Sequence, residues 1–194
     1  MPKPRFIHLR THTEHSLLEG ALPLKQLVSL AAAQGMPAVA VTDTNNLFCA
    51  LEFSVAALAA GVQPILGCQI DLALPGPERG ARPRPLAPVV LLCQSEAGWR
   101  NLMKLNSALY LRPSGALPHV TPAELAAHAE GLICLTGGAE GAIGRLCLDG
   151  QGAAAQALLA DLARAFPGRL YVELQRHPGP QGVLSEAEAA TEPA

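Results

Sequence analysis

The chain has 194 residues, enough for one domain with a sizeable core. Hydrophobic residues make up 49% and charged residues 15%, which excludes an intrinsically disordered chain. A net charge of −2 gives no electrostatic basis for a free-standing nucleic-acid binder, which carries a basic excess.

Cys49, Cys68, Cys93, Cys134 and Cys147 contain no CxxC pair, and each lies in an apolar context. They read as buried, reduced thiols of a cytosolic protein. No charged-then-apolar leader opens the chain, and no apolar run reaches the ~18 residues of a membrane span. A soluble, cytoplasmic protein with no membrane partner is expected.

In chain order, "FIHLRTH" (Phe6–His12) predicts a strand with one polar face. "LPLKQLVSLAAAQG" predicts a helix that starts around Pro23 and is stopped by Gly35. "PAVAVTD" (Pro37–Asp43) is the next strand. It is followed by "NNLFCALEFSVAALAAG", a helix capped by Asn45 or Asn46 and stopped at Gly61. "PILGCQIDL" (Pro64–Leu72) and "PVVLLCQ" (Pro88–Gln94) are two further strands. Between them residues 73–88, "ALPGPERGARPRPLAP", predict an exposed loop, with Arg79, Arg82 and Arg84 solvated rather than gripping an acidic partner or phosphate. "TPAELAAHAEG" carries a full helix-start signal: Thr121 as cap, Pro122 in the first turn, Glu124 closing the capping box, and Gly131 as the stop. "LICLTG" (Leu132–Gly137) and "LYVELQRH" (Leu170–His177) complete six strands. "SEAEAATEPA" reads as a helix barely begun, so the chain is expected to be a fragment that stops inside an α/β unit.

Several strands are apolar on successive residues, as expected where both faces are covered. Alternation with helices then predicts an α/β protein with parallel strands, either a barrel or an open sheet.

"HLRTHTEHS" (His8–Ser16) places three histidines in a short stretch and raises the question of metal or acid–base chemistry. In a strand, His8, Arg10 and His12 share a face. Functional groups of parallel α/β folds gather where strands end. The groups that meet there are His12, Glu19, Asp43 and His177, mixed with Arg10, Thr44, Gln69 and Gly138. A guanidinium is permanently charged and cannot ligate a cation, so this spacing argues against a working metal site. His8 and His15 read as hydrogen-bonded structural histidines. An unrelated doubly wound sheet is disfavoured, because no GxGxxG follows a strand.

"FIHLRTHTEHSLLEGA", "GMPAVAVTDTNNLFCALEF", "GVQPILGCQIDL", "WRNLMKLNSALYL" and "HAEGLICLTGGAEGAIGRLCLDG" together resemble the start of the bacterial DNA polymerase III alpha subunits. The likeness runs in order through "LYVELQRH" and covers essentially the whole chain. It implies a PHP (polymerase and histidinol phosphatase) domain over residues 1–194, a distorted parallel α/β barrel incomplete at its C-terminus. Metal-binding members carry H-x-H where this chain has Arg10-Thr11-His12. The acidic residue of "SLLDG" is Glu19, the histidine of "TDHGNL" is Thr44, and the glutamate of "ILGYE" is Gln69. A fourth-strand histidine is Pro88, the cysteine of "LSGC" is Gly138, and His177 is retained.

The resemblance thus implies a dismantled site, with no metal, no cofactor and no catalytic residue in this segment, and with Arg10 expected to pair with Glu19. It further implies a scaffold within a replicative DNA polymerase, docking the proofreading exonuclease subunit and the rest of the holoenzyme. DNA is met through the parent polymerase's palm, which matches nothing here. The alternative is a free-standing metal-dependent phosphoesterase of the histidinol-phosphatase type.

Overall fold

The first helix, α1 (Leu24–Ala33), buries Leu24, Leu27, Val28 and Ala31, the three- and four-residue spacing of one helical face. It ends as predicted, with Gly35 at φ 66°. The structure, a computed structural model, describes residues 6–74, 86–112 and 117–175. Within them follow β1 (Ala38–Val41), α2 (Ala50–Ala59), β2 (Gln63–Ala73), β3 (Leu86–Cys93) and α3 (Glu96–Tyr110). The remainder is α4 (Pro122–Ala127), β4 (Leu132–Leu135), α5 (Ala142–Leu148), α6 (Gly152–Ala165) and β5 (Leu170–Tyr171). Among these residues no helix is long and apolar enough to cross a membrane.

The five strands form one sheet in sequence order. Its outer junctions, β1–β2 and β4–β5, are parallel as expected. Its inner junctions, β2–β3 and β3–β4, are antiparallel, which corrects the uniformly parallel sheet. The Pro/Gly-rich sequence between β2 and β3 has no apolar helical stripe of the kind a parallel crossover uses to cover a sheet face. The predicted 73–88 loop is correspondingly shorter: Ala73 and Leu86–Pro88 belong to strands, and Arg79, Arg82 and Arg84 lie outside the described residues. Between β3 and β4 the chain runs out along α3 and returns through α4. The return closes at a glycine pair, where a Cβ on Gly98 would stand 1.9 Å from the Gly131 carbonyl oxygen. Only two residues without side chains allow that approach.

Pro88 sits in β3 opposite Asp71. Its missing N–H is tolerated because the β3–β4 ladder begins only at Val90.

"FIHLRTH" is not a strand of the sheet. It runs beside β1, with His8 and Thr11 carbonyls accepting from the Ala40 and Thr42 amides, both at 2.8 Å. Acceptors three residues apart facing donors two apart insert one extra residue, which breaks the ladder. α2 also starts later than expected. Asn45 is left-handed at φ 55° and Asn46 accepts from the Phe48 amide, so Cys49 precedes the first helical turn. The capping box of α4 forms as predicted. α3, α5 and α6 add three helices that no sequence signal had singled out.

Period-two alternation divides the core. Cys68, Ile70, Val89 and Leu91 pack under α3, α5 and α6, while Val90, Leu92 and Leu135 face the other way. The second face is concave. It floors a trough of about 960 Å³, walled by Phe6–Arg10 on one side and Tyr171–Gln175 on the other. α1 and α2 close over β1 around Phe53.

Phe53 is fully buried, whereas Leu51, two residues earlier in α2, is 79% exposed. Phe53→Ala should therefore cost about 3–5 kcal/mol in urea unfolding, and Leu51→Ala less than about 0.5 kcal/mol. Equal losses would mean that the helix is oriented differently.

Candidate functional site

The two walls of the trough meet at Arg10. Its Nη2 and Nε both donate to Gln69 Oε1, at 2.6 and 3.1 Å. Its Nη1 forms an ion pair with Glu173 at 3.2 Å and reaches the Gly137 carbonyl at 3.3 Å. One guanidinium thus ties the N-terminal segment to β2, to the exit of β4 and to the segment after β5. Both side chains of the ion pair are largely buried.

The remaining polar groups continue from Gln69. Its Oε1 also lies 3.2 Å from His12 Nε2, and its Nε2 donates to the Thr44 hydroxyl at 3.2 Å. The Thr44 hydroxyl donates to Glu19 at 2.5 Å, and Glu19 stands 3.5 Å from His12 Nδ1. Arg10, His12, Glu19, Thr44 and Gln69 therefore converge, as the sequence predicted. Arg10 does not pair with Glu19. It takes the largely buried Glu173, while the more exposed Glu19 is held by Thr44 and His12.

Gly138 lies beside this cluster at φ +66°, and a Cβ there would meet Gln175 at 3.0 Å. Gln175 in turn donates to Glu173 at 2.8 Å. Pro88 comes near through its carbonyl oxygen, which would stand 2.5 Å from a Cβ on Gly137. His177 lies outside the described residues. Glu173 was missed, although a lone carboxylate between Val172 and Leu174 is a readable sign of a strand turning a polar group inward. Its Oε2 is buried without a hydrogen-bond partner among the described residues.

Beneath the cluster, Asp43 organises the turn that carries His12 and Glu19. Its carboxylate accepts from the Thr13 amide at 2.7 Å, the Thr13 hydroxyl at 2.8 Å, the Ser16 hydroxyl at 2.6 Å and the Cys49 thiol at 3.1 Å. Burial alone would raise its pKa, but these donors together outweigh burial and hold the carboxyl below its usual range. Burial and the neighbouring Asp43 charge push Cys49 up to about 12, so it stays a thiol donor.

Ligand atoms of His15, Asp43 and Cys49 lie within 4.8 Å of one another. The set is already closed by hydrogen bonds, with His15 Nδ1 at 3.2 Å from the Thr13 hydroxyl. His8 stacks edge-on against Phe6. His15 is thus hydrogen-bonded as expected, whereas exposed His8 makes an aromatic contact and no side-chain hydrogen bond among the described residues.

A curled α/β sheet with a polar cluster at its strand ends defines the class. The PHP domain family matches residues 8–177, and the chain belongs to it. Its sequence is similar to DNA polymerase III subunit alpha of Caulobacter vibrioides, at 47% identity over 186 residues. The same subunit of Pseudomonas aeruginosa is 41% identical over 172 residues, and that of Escherichia coli 37% over 179. These alignments take in 93%, 88% and 91% of this chain but only 16%, 14% and 15% of the relatives' lengths. Among solved structures, a Bifidobacterium adolescentis protein assigned as a metal-dependent phosphoesterase is similar at TM-score 0.50. That likeness spans 97% of this chain and 96% of the other at 11% identity, and so shows the fold alone.

Two variants test the site. Arg10→Ala strands Glu173 and Gln69 in a largely buried setting, and should cost about 2–3 kcal/mol in urea unfolding. A loss under about 0.5 kcal/mol would leave the network without structural weight. Asp43 has a folded pKa below its ordinary 3.8. The stability it adds is complete above the unfolded value and disappears as pH falls through the folded one. Asp43→Ala should therefore destabilise at neutral pH, by about 3 kcal/mol. It should also flatten the loss of stability below about pH 4, read from melting temperatures across pH.

Proposed function

We propose that this chain is the N-terminal PHP domain of a cytoplasmic replicative DNA polymerase III alpha subunit, kept as a scaffold without phosphoesterase chemistry. The observation that carries the reading is the Arg10 guanidinium bonded to Gln69 and Glu173. A metal centre of this kind needs neutral imidazoles and carboxylates around the ion, and a fixed cation at its middle repels one. Gln69 offers a neutral amide where a carboxylate would serve, Thr44 a hydroxyl, and Gly138 nothing. His12 and Glu19 remain, together with His177. Two or three ligands beside a guanidinium do not fit a catalytic ion, and no step is routed through one.

A barrel retained without its chemistry is retained for contacts. In this reading the domain docks the proofreading exonuclease subunit and so joins the polymerase III holoenzyme. DNA synthesis belongs to the rest of the parent polypeptide.

Elemental analysis after dialysis against zinc or manganese tests the chemistry. Less than about 0.1 ion per chain, with no hydrolysis of phosphomonoesters, is expected on the ligand count. One ion or more per chain, lost in His12→Ala, would return the domain to the phosphoesterases. Mixing with the exonuclease subunit tests the contact: a stable complex is expected, beside only weak, salt-sensitive DNA binding. Tight DNA binding with no complex would reverse the assignment.

A further inference from the structure

The acceptors that grip Arg10 are each held in place by something else. Gln69 is tied at its backbone, where its amide donates to the Asp43 carbonyl at 3.1 Å and its carbonyl accepts from the Asn45 amide at 2.8 Å. Its side-chain Nε2 donates to Thr44, which leaves Oε1 turned towards the guanidinium. The Gly137 carbonyl lies in a left-handed turn at φ 83°, packed so closely that a Cβ on Gly137 would stand 2.9 Å from the Gly141 Cα. The Glu173 amide donates to the Thr136 hydroxyl at 3.0 Å, and Glu173 Oε1 accepts from Gln175 at 2.8 Å.

Together these groups match a planar fork and not a point charge. Gln69 Oε1 receives Nε and Nη2 along one edge, while Gly137 and Glu173 receive Nη1 at the other end. An ammonium directs its three donors from one nitrogen and cannot span acceptors on both sides. The segment that delivers Arg10 has anchors of its own, in the backbone bonds to Ala40 and Thr42 and in the Thr11 amide, which donates to the Thr42 hydroxyl at 2.9 Å. Shortening the side chain therefore leaves both the socket and the backbone beside it. The trough, which Arg10 and Glu173 both line, gives a small cation its way in.

We propose that Gln69, Gly137 and Glu173 form a preorganised receptor for a guanidinium group, which the chain fills with its own Arg10 and which takes a free alkylguanidinium when that side chain is cut back. Acceptors that are already fixed bind without the cost of ordering them. In the scaffold reading Arg10 excludes an ion; here the groups around it have a ligand of their own, and they have it whether or not an exonuclease docks.

Arg10→Ala removes everything beyond Cβ, which is an ethylguanidinium group, so ethylguanidinium is the probe. The melting temperature of the 194-residue variant is measured with it at about 10 mM, far below the molar range in which guanidinium unfolds proteins. Ethylammonium and zinc are added in its place as comparators. Ethylguanidinium should recover about half of the melting temperature lost in the variant, the gain expected of a Kd of about 1 mM. The wild-type chain, whose socket is full, should gain nothing. If the variant is unfolded on its own, folding on addition of ethylguanidinium, followed by circular dichroism, is the same result. Adding Gln69→Ala should abolish the recovery, and Arg10→Lys should stay clearly less stable than wild type in urea. No recovery, equal recovery with ethylammonium, or a lysine variant as stable as wild type overturns the proposal. So does recovery with zinc alone, which would leave the scaffold reading standing, since that reading fails only if the wild-type chain holds the metal.

Discussion

A permanent positive charge where the two walls of the trough meet decides most of what surrounds it. Arg10 cannot lose its proton, so each polar neighbour must accept a hydrogen bond from it. Gln69 does this with a neutral oxygen shared by both guanidinium nitrogens and by His12. Glu173 supplies the compensating charge that largely buried surroundings demand. With Gln69 satisfied at its oxygen, its amide turns to Thr44, and Thr44 turns to Glu19. The chain of contacts runs outward from one side chain. It also holds together the two walls of the trough.

Asp43 works at a different level. Four donors fix its carboxylate, and three of them come from the turn between His12 and Glu19. The turn therefore keeps its shape whatever occupies the site above it.

Much of this was legible because its physics is local. The α4 capping box, the glycine stops of α1 and α2, and the apolar runs of β1 to β4 each depend on a few adjacent residues. The gathering of Arg10, His12, Glu19, Thr44 and Gln69 followed from strand alternation and the resemblance. What escaped depends on distant partners. Arg10 chose between two carboxylates, and only the three-dimensional path of the chain after Tyr171 puts Glu173 nearer. The antiparallel direction of β3 is not recorded by apolar patterning, which reads the same for either direction. The late start of α2 follows from Asn45, whose side chain exchanges two hydrogen bonds with Asp71 and so draws it out of the helix.

The antiparallel β2–β3 pair also bears on how the chain finds this fold. Seven residue pairs from Gly67↔Leu92 to Ala73↔Leu86 join segments adjacent in sequence. Parallel pairing must wait for a long stretch of chain to be ordered first, and loop-closure entropy rises with that length. A hairpin at the centre of the sheet gives the chain an early, low-cost nucleus on which β1 can be added from one side and β4 from the other. The outer parallel strands, and the Arg10 junction that joins their far ends, then form last.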